Sequence, residues 1–346
     1  MKKFEGYQKG VNLGGWLSQC VEYTEEHFNN FITEEDIKRI KSFGLDHVRV
    51  PVDYDVFMKE QDGQDVGNAG GMAHIDDCIN WCRKNGLNMI LDLHKAKGYM
   101  FDAGAVPDAD AFFEDEMLQE TFYDTWEMFA ARYGKDSDML ALELLNEVVN
   151  PNYESKWNEI ATNAIKKIRA IAPNSYIIVG GVNYNNVFAV PGIKVPMDEK
   201  IIFNFHCYEP LCFTHQKAYW VAGMTDDFEM TYPEDIEYIR RRSEEFSKNH
   251  MGAVFNEALD GDGPFFDKMF KVAVDYAAEK NVPLYCGEYG VIDRAPLPDT
   301  LNWMKDIHAS FEKFGIGRAL WNYKNKDFGL VDEHYAPIME EMIREL

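Results

Sequence analysis

The sequence predicts an α/β fold, a (β/α)8 TIM barrel that uses most of the 346 residues. Eight short apolar segments recur along the chain, and stretches with helical signals separate them. Apolar strands of this kind are typical of a parallel sheet that is buried on both faces. Alternating strands and helices therefore favour a closed barrel over the alternative, a doubly wound sheet. No G-x-G-x-x-G follows a predicted strand, so a dinucleotide site does not support that alternative.

The predicted strands are short and most of them end at a polar residue. In chain order they are residues 10–13, 47–51, 88–94, 140–147, 176–180, 201–206, 283–288 and 318–322. Helical signals lie between them. Residues 33–36 resemble a capping box at a helix start. Residues 156–170 place their apolar side chains on one stripe and end at Ala172-Pro173-Asn174, which is a stop signal.

One interval is about twice as long as the others, between the sixth and seventh strands. We interpret residues 209–265 as a subdomain inserted into a single catalytic barrel of residues 1–346, because long insertions after barrel strands are usually functional. Phe213, Tyr219 and Trp220 in this insertion are either sugar platforms or part of its own core. Asn256 and Glu257 also lie there rather than at a strand end, so we expect no catalytic role for them.

The charge balance excludes several partners. Lys and Arg number 35 and Asp and Glu number 59, which gives a net charge of −24. A chain this acidic repels phosphate backbones and anionic lipid, so nucleic-acid and membrane partners are disfavoured. A neutral or cationic partner fits better, although acidity that only keeps the protein soluble explains the charge more simply.

Targeting and cofactor signals are weak. Lys2 and Lys3 precede no apolar segment of signal-peptide length, and no apolar run is long enough to cross a membrane. We therefore expect no signal peptide in this chain, and a cytoplasmic location or secretion by a signal outside it. The six cysteines predict free thiols, and Cys78 and Cys82 lack the paired spacing of a zinc site. We expect a monomer without metal or cofactor.

The catalytic face of such a barrel lies at the carboxyl ends of its strands. The residues at those ends include two carboxylates, the minimum for cleaving an acetal, because one must donate a proton and the other must attack or activate water. No H-x-H, H-E-x-x-H or G-x-S-x-G motif suggests a metal-dependent or serine hydrolase. The strand-end set is Arg49, His94, Asn146, Glu147, Asn183, His206, Tyr208, Glu288 and Trp321.

Glu143 and Cys286 lie an even number of residues before Glu147 and Glu288, so regular alternation would place them on the same faces of their strands. Glu143 has the parity of Glu147, and we expect it to be a buried, hydrogen-bonded side chain inside the barrel. Cys286 has the parity of Glu288, and we expect it to fill the barrel core.

In order along the chain, this set resembles glycoside hydrolase family 5, the cellulase family of retaining (β/α)8 enzymes. That family has Arg after strand two, His after strand three, Asn-Glu after strand four, His-x-Tyr after strand six, Glu after strand seven and Trp after strand eight. The resemblance covers residues 11–328. Within the family it is closest to the single-domain bacterial endoglucanase C type, which shares the segments 12–16, 31–34 and 214–218.

The resemblance implies a role for each catalytic position. Glu147 is expected to be the general acid and then the base, and Glu288 the nucleophile. Arg49 and Tyr208 are expected to hydrogen-bond Glu288, with the cation favouring its charged form.

The remaining positions are expected to bind the substrate. The resemblance implies that Asn146 holds the sugar 2-hydroxyl, that His94 and His206 bind hydroxyls or carboxylates, and that Trp321 forms a stacking floor. Asn183 completes the expected substrate-binding set.

The implied activity is a retaining endo-β-1,4-glucanase that also cuts mixed-linkage β-glucans. The opening at residues 10–16 also occurs in exo-1,3-β-glucanases of the same family, so an exo-1,3-β-glucanase or β-glucosidase is the alternative. A non-catalytic carbohydrate-binding barrel is an alternative of another class. It predicts the loss of one of the two glutamates, and both are present.

Overall fold

The computed structural model describes residues 1–62, 64–102, 108, 110–221, 223–244 and 259–346. Eight parallel strands form a closed barrel, in which each strand pairs with its two neighbours in chain order and the eighth pairs with the first. This confirms the predicted fold. The strands are β1 (Lys9–Asn12), β2 (His47–Asp53), β3 (Asn88–Ala96), β4 (Leu140–Glu143), β5 (Tyr176–Gly180), β6 (Ile201–Cys207), β7 (Leu284–Tyr289) and β8 (Gly317–Leu320).

Helices surround the barrel and follow most strands. After β5, a 3-10 segment, Val187–Gly192, takes the place of an α-helix and contains Pro191. At the first long helix the predicted capping box is present, because Asp36 accepts a hydrogen bond from the Thr33 backbone. The α-helices are Glu25–Phe31, Glu34–Ser42, Tyr54–Phe57, Ala69–Asn85, Ala111–Glu114, Glu116–Tyr133, Glu154–Ile171, Leu211–Thr214, Ile236–Glu244, Phe265–Lys280, Leu297–Phe314 and Met339–Glu345.

The strands bury one face against these helices and the other inside the barrel. The interior core is small and contains one apolar side chain from each of six strands: Ile90, Ala141, Ile178, Ile202, Tyr285 and Ala319. Phe4 and Tyr7 stack at 4.1 Å and close the amino end of the barrel against Tyr176 and Tyr285. Near the same end, Arg318 donates a hydrogen bond of 2.7 Å to the carbonyl of Leu346. The barrel is therefore filled at its floor, and its polar residues collect at the opposite mouth.

Cys286 does not lie where its parity predicted. Tyr285 points into the barrel, whereas Cys286 belongs to the core between barrel and helices. The prediction that Cys286 fills the barrel interior is therefore wrong. It assumed regular alternation from Cys286 to Glu288, and the register of β7 shifts between these two residues. All six cysteines are free, as expected, and five of them are buried.

Two short hairpins extend the walls of the mouth. Met58–Gln61 pairs with Gln64–Gly67 after β2, and Tyr99–Met100 folds back on the end of β3. Among the helices of the described residues, none combines the length and apolarity that a membrane crossing requires.

The long segment between β6 and the helix Phe265–Lys280 is described in part. It begins with Leu211–Thr214 and continues to Ile236–Glu244. Tyr219 and Trp220 are 77% and 44% exposed, which fits the platform alternative, whereas Phe213 is fully buried and fits the core alternative. Asn256 and Glu257 lie outside the described residues, and the division of the chain into a barrel with a 209–265 subdomain stays a prediction.

Candidate active site

A buried guanidinium lies at the centre of the mouth. Arg49 belongs to β2, and its side chain is inaccessible to solvent. Burial by itself lowers its pKa, but the charges of Asp92 and Glu143 raise that pKa well above the usual value. The arginine therefore stays charged. Its nitrogens lie 2.7–3.0 Å from oxygens of five side chains, those of Asn12, Asp92, Glu143, Asn146 and Glu288.

Glu288, near the end of β7, is held by two donors. One carboxyl oxygen accepts a hydrogen bond of 2.8 Å from Arg49, and the other accepts one of 2.9 Å from the hydroxyl of Tyr208. Burial raises the pKa of Glu288 above its usual value, and the charge of Arg49 and the hydrogen bond from Tyr208 limit this rise. These donors stabilise the ionised form of this carboxyl group.

Glu147 has a different environment, four residues beyond the end of β4. Its side chain shares a hydrogen bond of 2.7 Å with Nδ1 of His206. Its backbone carbonyl accepts one of 2.8 Å from Tyr99. Burial, followed by the negative charge of Glu288, raises the pKa of Glu147 well above its usual value. Burial also lowers the pKa of His206 well below its usual value, so this partner is a neutral imidazole.

The two carboxyl groups face each other closely. A carboxyl oxygen of Glu147, a carboxyl oxygen of Glu288 and an imidazole nitrogen of His206 all lie within 4.8 Å of one another. Such a trio has the donor types of a metal site, but a cation here would face the Arg49 guanidinium, which is 2.8 Å from Glu288. Carboxyl groups about 5–5.5 Å apart are typical of glycosidases that retain configuration, whereas inverting enzymes need roughly 6.5–9.5 Å. The donor set suits proton transfer and nucleophilic attack.

His94 and Trp321 form a flat wall beside the carboxyl pair. The imidazole and the indole are stacked at 5.9 Å with an angle of 8° between their planes. Nδ1 of His94 lies 2.7 Å from Asp92, and Nε2 lies 3.2 Å from the amide nitrogen of Gln19. Because the Gln19 amide donates, Nε2 is the acceptor and Nδ1 carries the proton. Burial lowers the pKa of His94 to about 4, so the ring is neutral.

Close packing against Gly14 fixes the indole of this wall. A side-chain carbon at Gly14 would lie 2.5 Å from the Trp321 ring, so only glycine fits there. The peptide bond between Trp321 and Asn322 is cis. Asn322 holds the Gly14 backbone through two hydrogen bonds, of 2.9 Å and 2.8 Å.

The structure brings eight of the nine predicted site residues together. Direct contacts join Arg49, Asn146, Glu147, His206, Tyr208 and Glu288, while His94 and Trp321 connect to this group through Asp92. The ninth, Asn183, is exposed in the loop after β5, with a left-handed backbone (φ 55°). Its role in substrate binding stays a prediction.

Several buried polar residues of the site were not predicted from the sequence. Asn12, Asp92 and Asn204 are fully buried inside the barrel, and Gln19 follows β1. Asp92 and Asn204 each lie two residues before a predicted histidine, on the same face of the strand. This period-two spacing is the signal that would have identified them. Glu143 is buried and hydrogen-bonded inside the barrel, as expected.

A cavity of about 540 Å³ adjoins this wall. Gln19 lines it and also contacts His94, so the cavity lies next to the stacked pair. Phe31 and Lys326 line it as well. The cavity therefore has both apolar and polar walls and adjoins the site through Gln19.

Comparison with known proteins gives consistent matches. The family model described as Cellulase (glycosyl hydrolase family 5) matches residues 5–327. Endoglucanase C of Acetivibrio thermocellus is 37% identical over 341 residues, which is 97% of both chains. Cellodextrinase A of Ruminococcus flavefaciens is 41% identical over 318 residues, 92% of this chain and 86% of that protein. The crystal structure of the endoglucanase Cel5A from Thermotoga maritima shares the fold, with a TM-score of 0.76 at 23% identity over 99% of this chain and 97% of that one.

Proposed function

Because the chain belongs to the cellulase family, glycosyl hydrolase family 5, we propose that it cleaves β-1,4-linked glucans internally, by double displacement with retention of configuration. The chain is a glycoside hydrolase. One observation carries the mechanism, the placement of Glu147 and Glu288 within 4.8 Å of each other with opposite kinds of partner. Mixed-linkage β-glucan is a further proposed substrate.

In the first step, ionised Glu288 attacks the anomeric carbon while protonated Glu147 gives its proton to the glycosidic oxygen. The glycosidic bond breaks, the shortened glucan leaves as an alcohol, and the sugar is held as an ester of Glu288. Arg49 and Tyr208 keep Glu288 ionised before the attack. Burial keeps Glu147 protonated.

In the second step, Glu147 acts as a base. Formation of the ester removes the negative charge of Glu288, which is one of the causes that raise the pKa of Glu147. The pKa of Glu147 therefore falls in the intermediate, and its carboxylate can accept a proton from water. The water attacks the anomeric carbon from the side that the leaving group vacated, and Glu288 is released as a carboxylate.

The other predicted residues bind the sugar at the point of cleavage. Asn146 is positioned by Arg49, which donates to its side-chain oxygen at 2.9 Å, and its amide nitrogen is left to meet a sugar hydroxyl. Trp321 supplies the stacking face, and the neutral rings of His94 and His206 offer hydrogen bonds without charge. Asn183 is exposed, and we include it as a sugar-binding residue at the edge of the proposed site.

Cleavage within a chain needs room for several sugar units, and the 540 Å³ cavity that adjoins His94 through Gln19 is the proposed place for some of them. A second candidate function is hydrolysis of short cellodextrins, because a relative with 41% identity is named cellodextrinase. An exo-acting 1,3-β-glucanase or β-glucosidase, and a barrel that binds glucan without cleaving it, remain as alternatives to be tested.

A product assay distinguishes these functions. Internal cleavage predicts a rapid fall in the viscosity of soluble carboxymethyl cellulose, with few reducing ends formed per unit of viscosity lost. Release of glucose alone from laminarin or cellulose would identify an exo-enzyme, and turnover of cellodextrins alone would identify a cellodextrinase. Proton NMR of the first product then tests the mechanism, because retention predicts the β-anomer.

A further inference from the structure

An extra residue in β7 determines where Glu288 points. Along β7, Leu284 faces the helices and Tyr285 faces the barrel interior, so regular alternation would turn residue 288 toward the helices. The ladders to both neighbouring strands shift register after Cys286, and Gly287 has no partner in either. This is a β-bulge, which inserts one residue and reverses the faces beyond it. The bulge turns Glu288 into the barrel.

Two buried asparagines hold the bulged residue from opposite sides. The side-chain oxygen of Asn204, on β6, accepts a hydrogen bond of 2.9 Å from the backbone N–H of Gly287. The side-chain nitrogen of Asn12, on β1, donates one of 2.9 Å to the backbone carbonyl of Gly287. Both asparagines are fully buried. They therefore satisfy the two backbone groups that the bulge removes from the ladders, which would be costly to bury alone.

The same two asparagines connect the bulge to the charged centre. Asn12 accepts a hydrogen bond of 2.9 Å from Arg49, and Asn204 donates one of 2.8 Å to Glu143. Glu143 in turn binds Arg49 through two bonds, of 2.7 Å and 2.8 Å. The backbone preceding Glu288 and the guanidinium that binds its carboxylate are thus fixed to each other.

The space around Gly287 admits no side chain. A carbon added there would lie 2.9 Å from the side-chain nitrogen of Asn204 and 3.0 Å from Nε2 of His206. His206 also binds Glu147, so the packing at the bulge reaches the second carboxyl group.

We propose that Asn12 and Asn204 are positioning residues for the nucleophile, and that they act by holding the Gly287 bulge that aims Glu288 at the anomeric carbon. The inference rests on the proposed function, in which Glu288 is the nucleophile. Neither asparagine touches the attacking oxygen, and a displacement on the order of 1 Å at a reacting group can cost about 100-fold in rate.

The reagent that tests this is 2,4-dinitrophenyl 2-deoxy-2-fluoro-β-cellobioside, which esterifies the nucleophile of a retaining enzyme and then turns over slowly. Its leaving group needs no proton, so the labelling rate reports the attack by Glu288 and does not depend on Glu147. Intact-protein mass spectrometry gives both the rate and the final stoichiometry. We expect Asn12→Ala and Asn204→Ala to reach full labelling at rates about 100-fold lower than the original enzyme.

Asn185→Ala is the matched control. Asn185 is also fully buried, and its side-chain oxygen accepts a hydrogen bond of 3.0 Å from a glycine N–H, that of Gly181 after β5. It should lose at least as much stability, because alanine is also strained at its left-handed backbone (φ 54°), and keep a labelling rate within about threefold of the original. Asn204→Ser is a second variant for the case in which Asn204→Ala does not fold, because a serine side chain is too short to reach Gly287.

The outcomes are distinct. Labelling of the Asn12 and Asn204 variants at the same rate as the Asn185 control would overturn the inference. Reduced stoichiometry with an unchanged rate would also overturn it, since the asparagines would then act on folding alone. If the original enzyme is not labelled at all, the assignment of Glu288 as nucleophile fails, and the inference fails with it.

Discussion

The ends of β4 and β7 present the same residue type to the same space with opposite kinds of hydrogen-bond partner. Glu147 and Glu288 are similarly buried, at 9% and 6% exposure. The difference lies in their partners, because Glu288 meets a cation and a phenol while Glu147 meets a neutral imidazole. One arginine from a third strand, β2, thereby gives the two carboxyl groups different surroundings. In the proposed mechanism, the difference between acid and nucleophile depends on residues that lie far from both in the sequence.

The largest expected effect comes from removing the charge at the end of β7. Glu288→Gln should lower turnover of carboxymethyl cellulose by at least about 1,000-fold, because no covalent intermediate can form. Isothermal titration with cellotetraose should show binding within a few-fold of the original. Glu209→Gln is the control, since Glu209 is a buried glutamate nearby that binds Asn186 and the Tyr208 backbone. Activity of the Glu288 variant within tenfold of the original would contradict the assignment.

The corresponding change at the end of β4 should have an effect that depends on the leaving group. Glu147→Gln removes the proton donor, so turnover of cellulose should fall about 1,000-fold. The kcat/KM for 2,4-dinitrophenyl β-cellobioside should stay within about tenfold, because dinitrophenolate leaves without a proton. Steady-state and burst kinetics on both substrates measure this. Equal losses of kcat/KM on both substrates would mean that Glu147 does not act as the proton donor.

Tyr208→Phe should reduce the difference between the surroundings of Glu288 and Glu147 without removing it. The phenol lowers the pKa of Glu288, so its loss should raise that pKa and move the acid limb of the kcat/KM profile to higher pH. The optimum rate should fall about tenfold, because one hydrogen bond to a charged group is lost. A profile from pH 4 to 8 on an activated cellobioside tests this. An acid limb that moves to lower pH would be contrary to the expected direction.

Asp92→Asn should produce the smallest effect, and it should move the pH profile in the direction opposite to that expected for Tyr208→Phe. The negative charge of Asp92 raises the pKa of both Glu288 and Glu147, but burial raises the pKa of Asp92 itself to about 7, so this charge is largely absent at the acid limb. Removing it should therefore move the alkaline limb of the pH profile to lower pH, by about half a unit, and leave the acid limb nearly unchanged. Asparagine keeps the shape and can still accept from His94. An acid limb that moves as far as the alkaline limb would show that Asp92 is already charged at low pH.

The sequence predicted the barrel because strand-length apolar segments alternate with helical stripes, and it predicted the site because parallel strands end at one face. Side-chain direction was harder. Alternation of side chains along a strand correctly predicted that Glu143 points into the barrel, but it gave the wrong direction for Cys286. The reason is the bulge at Gly287, which depends on how three strands pair and is marked in the sequence only by a glycine. Asn204 shares the spacing of His206 along β6, so its inward position could have been predicted, but its bond to Gly287 could not. Asn12 was missed because its partner, the Gly287 carbonyl, lies on another strand.

The stacked pair at the floor, Phe4 and Tyr7, has a practical meaning for anyone who anchors this protein to a solid support. The first residues of the described chain pack under the barrel, and the carbonyl of Leu346 is bound by Arg318 near the same end. A tether attached at Met1 or Leu346 therefore departs from the side opposite the carboxyl pair. Immobilised through such a tether, the enzyme would turn the carboxyl pair outward, toward an insoluble polymer too large to diffuse to it.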